Sequence, residues 1–366
     1  MNPSARHWSA KGASLRARNP PEISPAGRTS LNIPLTLPPM VLLIREEEVR
    51  ALLNLRGVFQ TVLETYRILG SGGKTASSRL QVEIPGGWLR VQAGLILDQG
   101  VVGFKSYTRT KCEEGNCFRY VVVLYDVRSG EALSIMDGNY LTVARTAAIA
   151  GVATQYMACE DWDTLGVIGS GNIAKTTTEL LASLREFKAV KVYSRSEARR
   201  REFKEQISRR TGVSVTPSES PKEVVEGNRI LVTATSNDSM NPIVLGDWIP
   251  RGTMINALGA AGRGVELDQV TYRRASRVVV DSPEAFGVSP ELRAVLDAGI
   301  LRREEVWELS QVVQRGPTCD QQGIHILRSV GFGLLDVASA LWVYREAART
   351  GKGIQVEGFP SVKEER

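Results

Sequence analysis

At 366 residues the chain exceeds what a single hydrophobic core usually serves, so two domains are expected. Hydrophobic residues make up 42% and charged residues 23%, and no run of eighteen apolar residues occurs, which argues against a membrane-spanning helix. The formal charge of +6 gathers at the N-terminus, where Arg6, Lys11, Arg16, Arg18 and Arg28 face Glu22 alone; the remainder is too near neutral, and too poor in basic stripes, for a nucleic-acid surface.

Residues 1–37 are rich in Ser, Arg and Pro with little periodicity and are expected to carry no fold. Their Arg-rich, acid-poor character fits either a transit segment or an over-extended reading frame ahead of Met40. From Met40, MVLLIREEEVRALLNL reads as a short strand and then a helix, and the helical pattern continues to about Leu69. SRLQVEI, GWLRVQAGLIL, GVVGFKSYT, FRYVVVLYDV and ALSIMD follow as strands, separated by PGG, DQG, CEEGN and RSGE turns, and predict a mostly antiparallel sheet. YLTVARTAAIAGVATQYMA is a helix of small residues, suited to close packing against other backbone.

After DWDT the pattern changes. TLGVIG, AVKVYS, RILVTAT, TMINALG and RVVVDS alternate with the helical NIAKTTTELLASL and EARRREFKEQISRR, the mark of an α/β doubly wound parallel sheet. The near-continuous apolar character of RILVTAT fits a strand covered on both faces. SVGFGLLDVASALWVYREA is a closing amphipathic helix that can fold back onto the first half. Cys112, Cys117, Cys159 and Cys319 are too few and scattered for a disulfide scaffold, so free thiols and a reducing, cytoplasmic compartment are expected. KCEEGNC matches no common zinc spacing, and no metal site is expected.

VIGSGNIA joins a strand to a helix. In a dinucleotide site the first glycine allows the tight turn, the second admits the pyrophosphate, and the third position needs a small residue; Gly169, Gly171 and Ala174 fill these places. The end of the next strand reads KVYSRSEARRR, where Ser194 and Arg195 replace the acid that would hold an adenine-ribose hydroxyl. NADP is therefore favoured over NAD, with Arg199 and Arg200 either assisting or lying on a solvated helix face.

Three cations in the first half call for partners. Lys105 lies in an apolar strand, where burial needs a counter-charge or the side chain must reach the surface. Arg145 falls early in the small-residue helix, placed in its first turn, where the helix dipole opposes a cation unless an anion lies beside it. Arg79 opens SRLQVEI and alone is unremarkable.

MDGNYLTVARTAAIAGVAT, VIGSGNIA, INALGAAGRGVELD and GIHILRSVGFGLLDVASALWVY, in this order and spacing, resemble the ornithine cyclodeaminase/mu-crystallin family over about residues 40–350. The resemblance implies a homodimer whose first domain, residues 38–143 with 326–352, holds the substrate, and whose Rossmann domain, residues 144–325, holds NAD(P). It further implies that Arg79, Lys105 and Arg145 grip the substrate carboxylate, with Lys105 also acting on the proton. Cofactor contacts are expected from Gly169, Ser170, Gly171, Asn172 and Ile173 of the turn, from Ser194, Arg195 and Ser196, from Thr233, Ala234 and Thr235, from Leu258, and from Arg145 and Thr146.

One departure bears on the reaction. The family's cyclodeaminases carry an acid shortly after the INAxG strand, and Ala261 stands there instead. Alanine exchanges no proton, and Glu266 and Asp268 nearby read as caps or surface charges. The expected activity is thus an NAD(P)-dependent oxidoreductase acting on a small imino or amino acid, of ketimine reductase or amino-acid dehydrogenase type. A cyclodeaminase with recycled cofactor, or a non-catalytic NADPH-binding protein, is the alternative. With His7 and His325 as the chain's only two histidines, a histidine-based mechanism has few candidates.

Overall fold

A computed structural model describes residues 40–113, 115–159, 162–259 and 264–361. The expectations for residues 1–37 and for Ala261 fall outside these ranges. In chain order the strands are β1 (Met40–Ile44), β2 (Thr75–Ile84), β3 (Gly87–Ile96), β4 (Val101–Cys112), β5 (Gly115–Asp126), β6 (Ala132–Asp137), β7 (Thr164–Ile168), β8 (Ala189–Tyr193), β9 (Val215–Pro217), β10 (Ile230–Thr233), β11 (Met254–Ala257), β12 (Ala275–Val280), β13 (Val306–Glu308), β14 (Ile324–Arg328) and β15 (Ile354–Glu357). The helices are α1 (Glu46–Leu52), α2 (Leu55–Gly70), α3 (Asn139–Met157), α4 (Asn172–Leu184), α5 (Glu197–Thr211), α6 (Pro221–Val225), α7 (Gln269–Arg274), α8 (Ala285–Val288), α9 (Pro290–Asp297), α10 (Leu309–Arg315) and α11 (Gly333–Thr350).

The first sheet runs β15-β1-β6-β5-β4-β3-β2 and is antiparallel except where β1 meets β6. The second runs β13-β12-β14-β11-β10-β7-β8-β9, with every named pairing parallel. β10 and β11 are buried along their whole length, as strands covered by helices on both faces must be. The order reverses direction at β7, flanked by β8 and β10, and a crevice at the carboxyl ends of such strands is where this architecture binds ligands.

Local sequence explains how the two layers join. α2 presents Val58, Phe59, Val62, Leu63 and Tyr66 along one face, and its N-cap Asn54 accepts a hydrogen bond from the Gly57 amide at 2.7 Å. α3 is buried nearly all round; a Cβ at Gly151 would stand only 3.1 Å from Phe59 and 3.2 Å from Leu180, so the small residue sets the spacing of three helices. α11 meets β3 backbone to backbone, since a Cβ at Gly94 would lie 2.7 Å from the Leu334 Cα. That contact brings the first turn of α11 up to the inner face of the first sheet.

The cysteine expectation is overturned. Cys112 and Cys117 form one disulfide and Cys159 and Cys319 a second, with Cα atoms 5.9 and 5.0 Å apart. The β4–β5 hairpin folds five residues of sequence back on themselves, and the long-range pair joins the end of α3 to the loop after α10 across 160 residues. The cysteine pattern therefore no longer argues for a reducing compartment. Among the described residues no helix is long and apolar enough to cross a membrane, and no group of acids, cysteines and histidines could hold a metal.

Candidate active site

Between the inner face of β3, β4 and β5 and the carboxyl ends of the parallel strands lies a cavity of about 550 Å³. Trp88, Arg90, Lys105, Tyr107, Arg109, Phe118 and Tyr120 line it from the first sheet, Arg145 and Thr146 from α3, and Ile173, Arg199, Thr235, Leu258 and Gly331 from the opposite side. A second cavity, about 520 Å³, opens at the amino ends of β10, β11 and β14 and holds none of the candidate residues.

The floor of the first cavity is an ion triad. Lys105 Nζ and Arg145 Nε each lie 2.8 Å from Asp336, on opposite carboxylate oxygens, and Asp336 is fully buried. The expectation that Arg145 occupies a first turn is corrected: α3 begins at Asn139, so the guanidinium leaves from the second turn and its charge is balanced by a side chain rather than opposed by a dipole. Asp336 is not among the residues singled out from the sequence, where its segment reads only as a closing amphipathic helix. The usable signal was GLLDVASALWV, in which the acid occupies the helix's otherwise apolar first turn.

Burial lowers the Lys105 ammonium from its ordinary value to about 7, with Arg145 and Arg79 pushing the same way and Asp336 resisting. Desolvation also acts to raise the Asp336 carboxyl, but Arg145 and Lys105 overcome it and hold the group below the usual range. Lys105 therefore sits where either protonation state is accessible near neutrality, 5.1 Å from the centre of the Tyr107 ring.

Arg79 occupies a different place from its two expected companions. Its Nε pairs with Glu284 at 3.0 Å and its Nη2 donates to the Gly331 carbonyl at 2.5 Å, so it braces the loop before α11 behind the cavity lining. Gln92 donates to the same carbonyl at 3.1 Å. Gly331 itself has φ of 68°, and a Cβ there would run into the Arg145 guanidinium, so only glycine lets this loop close over the triad.

Across the cavity, the glycine turn follows β7. Gly169 has φ of 119°, and a Cβ there would collide with the Ala234 carbonyl. Gly171, the N-cap of α4, has open space where its side chain would be, and Ala174 is fully buried in the third position. Ser170 and Ile173 are half-buried and Asn172 exposed beside it. Unpaired amides at the start of a 13-residue helix, facing open ground, are what a pyrophosphate requires. Gly169→Val is expected to weaken dinucleotide binding at least tenfold, because the strained turn must open to clear Ala234; fluorescence titration with NADPH measures this.

At the end of β8, the Ser194 hydroxyl donates to the Ser196 carbonyl at 3.2 Å, and Ser196 caps α5. Arg195 and Arg199 are exposed there. Arg200 is not on a solvated face: it is buried, donates to the Ser194 carbonyl at 2.7 Å and pairs with Glu219 at 3.1 Å, so it shapes the turn.

The expectation for Glu266 is also corrected. It is fully buried and accepts from Thr233 Oγ1 at 2.8 Å, from the Thr235 amide at 2.9 Å, from Thr235 Oγ1 at 2.8 Å and from the Gly259 amide at 2.9 Å. The segment Thr233, Ala234, Thr235 and the end of the β11 strand at Leu258 are thus pinned by one carboxylate. Arg328 supports it at 3.6 Å, while burial raises the Glu266 carboxyl above its ordinary range. Asp268 is the N-cap of α7, as expected, accepting from the Thr271 amide at 2.8 Å. His325 lies in β14 with its ring against the Met157 carbonyl, remote from the cavity lining.

The sequence profile of the ornithine cyclodeaminase/mu-crystallin family matches residues 40–351. A Delta(1)-pyrroline-2-carboxylate reductase of Bacillus cereus is 31% identical over 242 residues, 65% of this chain and 74% of that protein. Among solved structures, that of Thermococcus litoralis Delta(1)-pyrroline-2-carboxylate reductase in complex with NADH and L-proline superposes with a TM-score of 0.81 at 27% identity, covering 86% of this chain and all (100%) of the other. An archaeal alanine dehydrogenase dimer with bound NAD gives a TM-score of 0.81 at 28% identity, covering 87% and 100%. The buried cations of β4 and α3, the glycine turn after β7 and the extent of these matches together establish that the chain belongs to the ornithine cyclodeaminase/mu-crystallin family.

Proposed function

We propose that this chain is an NAD(P)-dependent oxidoreductase acting on an imino or amino acid, with reaction at a carbon that bears both nitrogen and carboxylate. The observation that carries this is the position of Lys105: buried, poised near neutrality and lining one cavity with Ile173, which directly follows the glycine turn. When bound, the nicotinamide supplies or accepts the hydride. Arg145 offers its remaining N–H groups to the substrate carboxylate, since Asp336 engages only its Nε. Lys105 Nζ gives the proton to the substrate nitrogen in reduction and takes it back in oxidation. Arg79 acts at one remove, by holding the Gly331 loop that packs on Arg145.

The cofactor is expected to be held by Gly169, Ser170, Gly171, Asn172 and Ile173 at the turn, by Thr233, Ala234, Thr235 and Leu258 on the Glu266-braced wall, and by Thr146 of α3. NADP is preferred, because Arg195 and Arg199 are the exposed cations at the end of β8, whereas Arg200 is spent on Glu219. Arg195→Glu, combined with Arg199→Glu, is expected to reduce the NADPH-to-NADH preference at least tenfold, read as the ratio of kcat/KM for the two cofactors.

The chain is proposed to act as a homodimer. Leu80, Val82 and Val121 on the outer face of the first sheet are 60%, 46% and 41% exposed, which suits a second copy better than water. Oxidation of NADPH by a cyclic imine carboxylate, or by an oxo acid with ammonia, tests the activity directly. Release of ammonia from ornithine or lysine with no net change in nicotinamide absorbance would instead establish a cyclodeaminase, and NADPH binding without turnover would establish a binding protein.

A further inference from the structure

The cavity wall has one buried cation that the floor does not use. Cross-strand pairing arranges the inner face of β2 to β5 in rows. Arg79, Gln92, Lys105 and Val122 form the first, and Gln81, Arg90, Tyr107 and Tyr120 the second. Arg90 is 9% exposed and lines the cavity. Its Nε and Nη2 donate to Gln81 Oε1 at 2.9 and 2.5 Å and its Nη1 donates to the Tyr107 hydroxyl at 2.9 Å, while the guanidinium stacks 4.4 Å from the centre of the Trp88 ring.

Arg79, Lys105, Arg109 and Arg145 each have a carboxylate partner, and among the described residues Arg90 has none. The nearest acid in its chain of contacts, Glu83, is reached only through Gln81, whose Nε2 donates to it at 2.6 Å. That bond turns the Gln81 oxygen toward Arg90 and fixes the fork. Of the five guanidinium N–H groups, one on each Nη remains to be given. A nearly buried cation, rigidly held and short of an anion, is costly unless the missing anion arrives with the ligand.

We propose that Arg90 is the specificity-determining residue for a second acidic group on the substrate, making the preferred class a dicarboxylic imino, oxo or amino acid. This rests on the proposed oxidoreductase activity for its setting, but not for its test. Arg90 is the diagonal neighbour of Lys105 across the β3–β4 pairing, roughly 7 to 8 Å away, which lets one carboxylate sit at Arg145 and Lys105 while a second, on a chain of about four or five carbons, reaches Arg90.

Calorimetric titration of the full-length protein saturated with NADPH, using 2-oxoglutarate, oxaloacetate and pyruvate, decides the matter, with turnover of the same acids plus ammonia measured in parallel. The expected result is that at least one dicarboxylate binds at least tenfold more tightly than pyruvate. Arg90→Met abolishes that difference while leaving pyruvate affinity within about twofold, and Arg90→Lys, which keeps the charge, restores part of it. Equal affinity for the three acids in the unaltered protein overturns the proposal. So does an equal loss for mono- and dicarboxylates in both Arg90 variants, which would make Arg90 a grip on the shared carboxylate or a structural strut. Selective binding without turnover of any acid would sustain the Arg90 subsite and exclude reductive amination of these oxo acids instead, leaving cyclic imine carboxylates as the test of the oxidoreductase reading.

Discussion

Lys105→Met is expected to lower kcat for imine reduction by about 10²- to 10⁴-fold, the range for loss of a positioned proton donor. Because the ammonium of Lys105 is held at about 7, the reductive kcat/KM of the unaltered enzyme should fall as pH rises through that value, and the oxidative rate should rise over the same interval. The variant should show neither inflection. Stability is expected to move the other way. A lysine whose pKa is depressed on folding makes an unfavourable contribution that is full below about 7 and relieved as pH rises toward the unfolded value of 10.5, so stability gains with pH in that window. Replacing it with an apolar chain of similar length removes that contribution, and Lys105→Met should unfold at the same or a higher urea concentration near neutral pH. A variant that lost activity and stability together would point to a purely structural lysine.

Asp336→Asn is expected to cost about 3 to 5 kcal/mol of folding stability, measured by urea denaturation, because it leaves two buried cations without their counter-charge. Asp336 opposes the depression of Lys105, so its loss should shift the reductive pH inflection to below about 7. That displacement distinguishes an electrostatic partner from a residue that only fills space. Combining Asp336→Asn with Lys105→Met should be less damaging to stability than the sum of the two changes, since the second removes one of the stranded charges. Simple additivity would show that the 2.8 Å contact contributes no coupling.

The first-half cations show how far side-chain chemistry could be read from sequence. Lys105 and Arg145 were legible because each is a charge in a segment too apolar to hold it alone, and both line the cavity floor. Arg79 followed from resemblance, and its side chain turns to Glu284 and the Gly331 carbonyl instead, a choice made by a loop 252 residues away. Arg90 could not be singled out, since GWLRVQAGLIL alternates as any half-buried strand does. Only the pairing of β3 with β2 and β4 shows that its polar residues, rather than Leu89 and Val91, face inward.

What the sequence by itself determined is what periodicity and turn chemistry encode locally: most strands of the antiparallel and parallel sets, though not β9, β13, β14 or β15, the glycine turn between β7 and α4, and the helix of small residues between the sheets. What only the tertiary structure decided are the pairings across long separations. Asp336 meets Arg145 191 residues earlier, Glu266 gathers the Thr233 and Gly259 segments, and Cys159 joins Cys319. The reason is physical: a charge in an apolar segment announces that it needs a partner and a thiol does not, but in both cases the pairing is settled only when strands and helices have brought one particular partner within bonding distance.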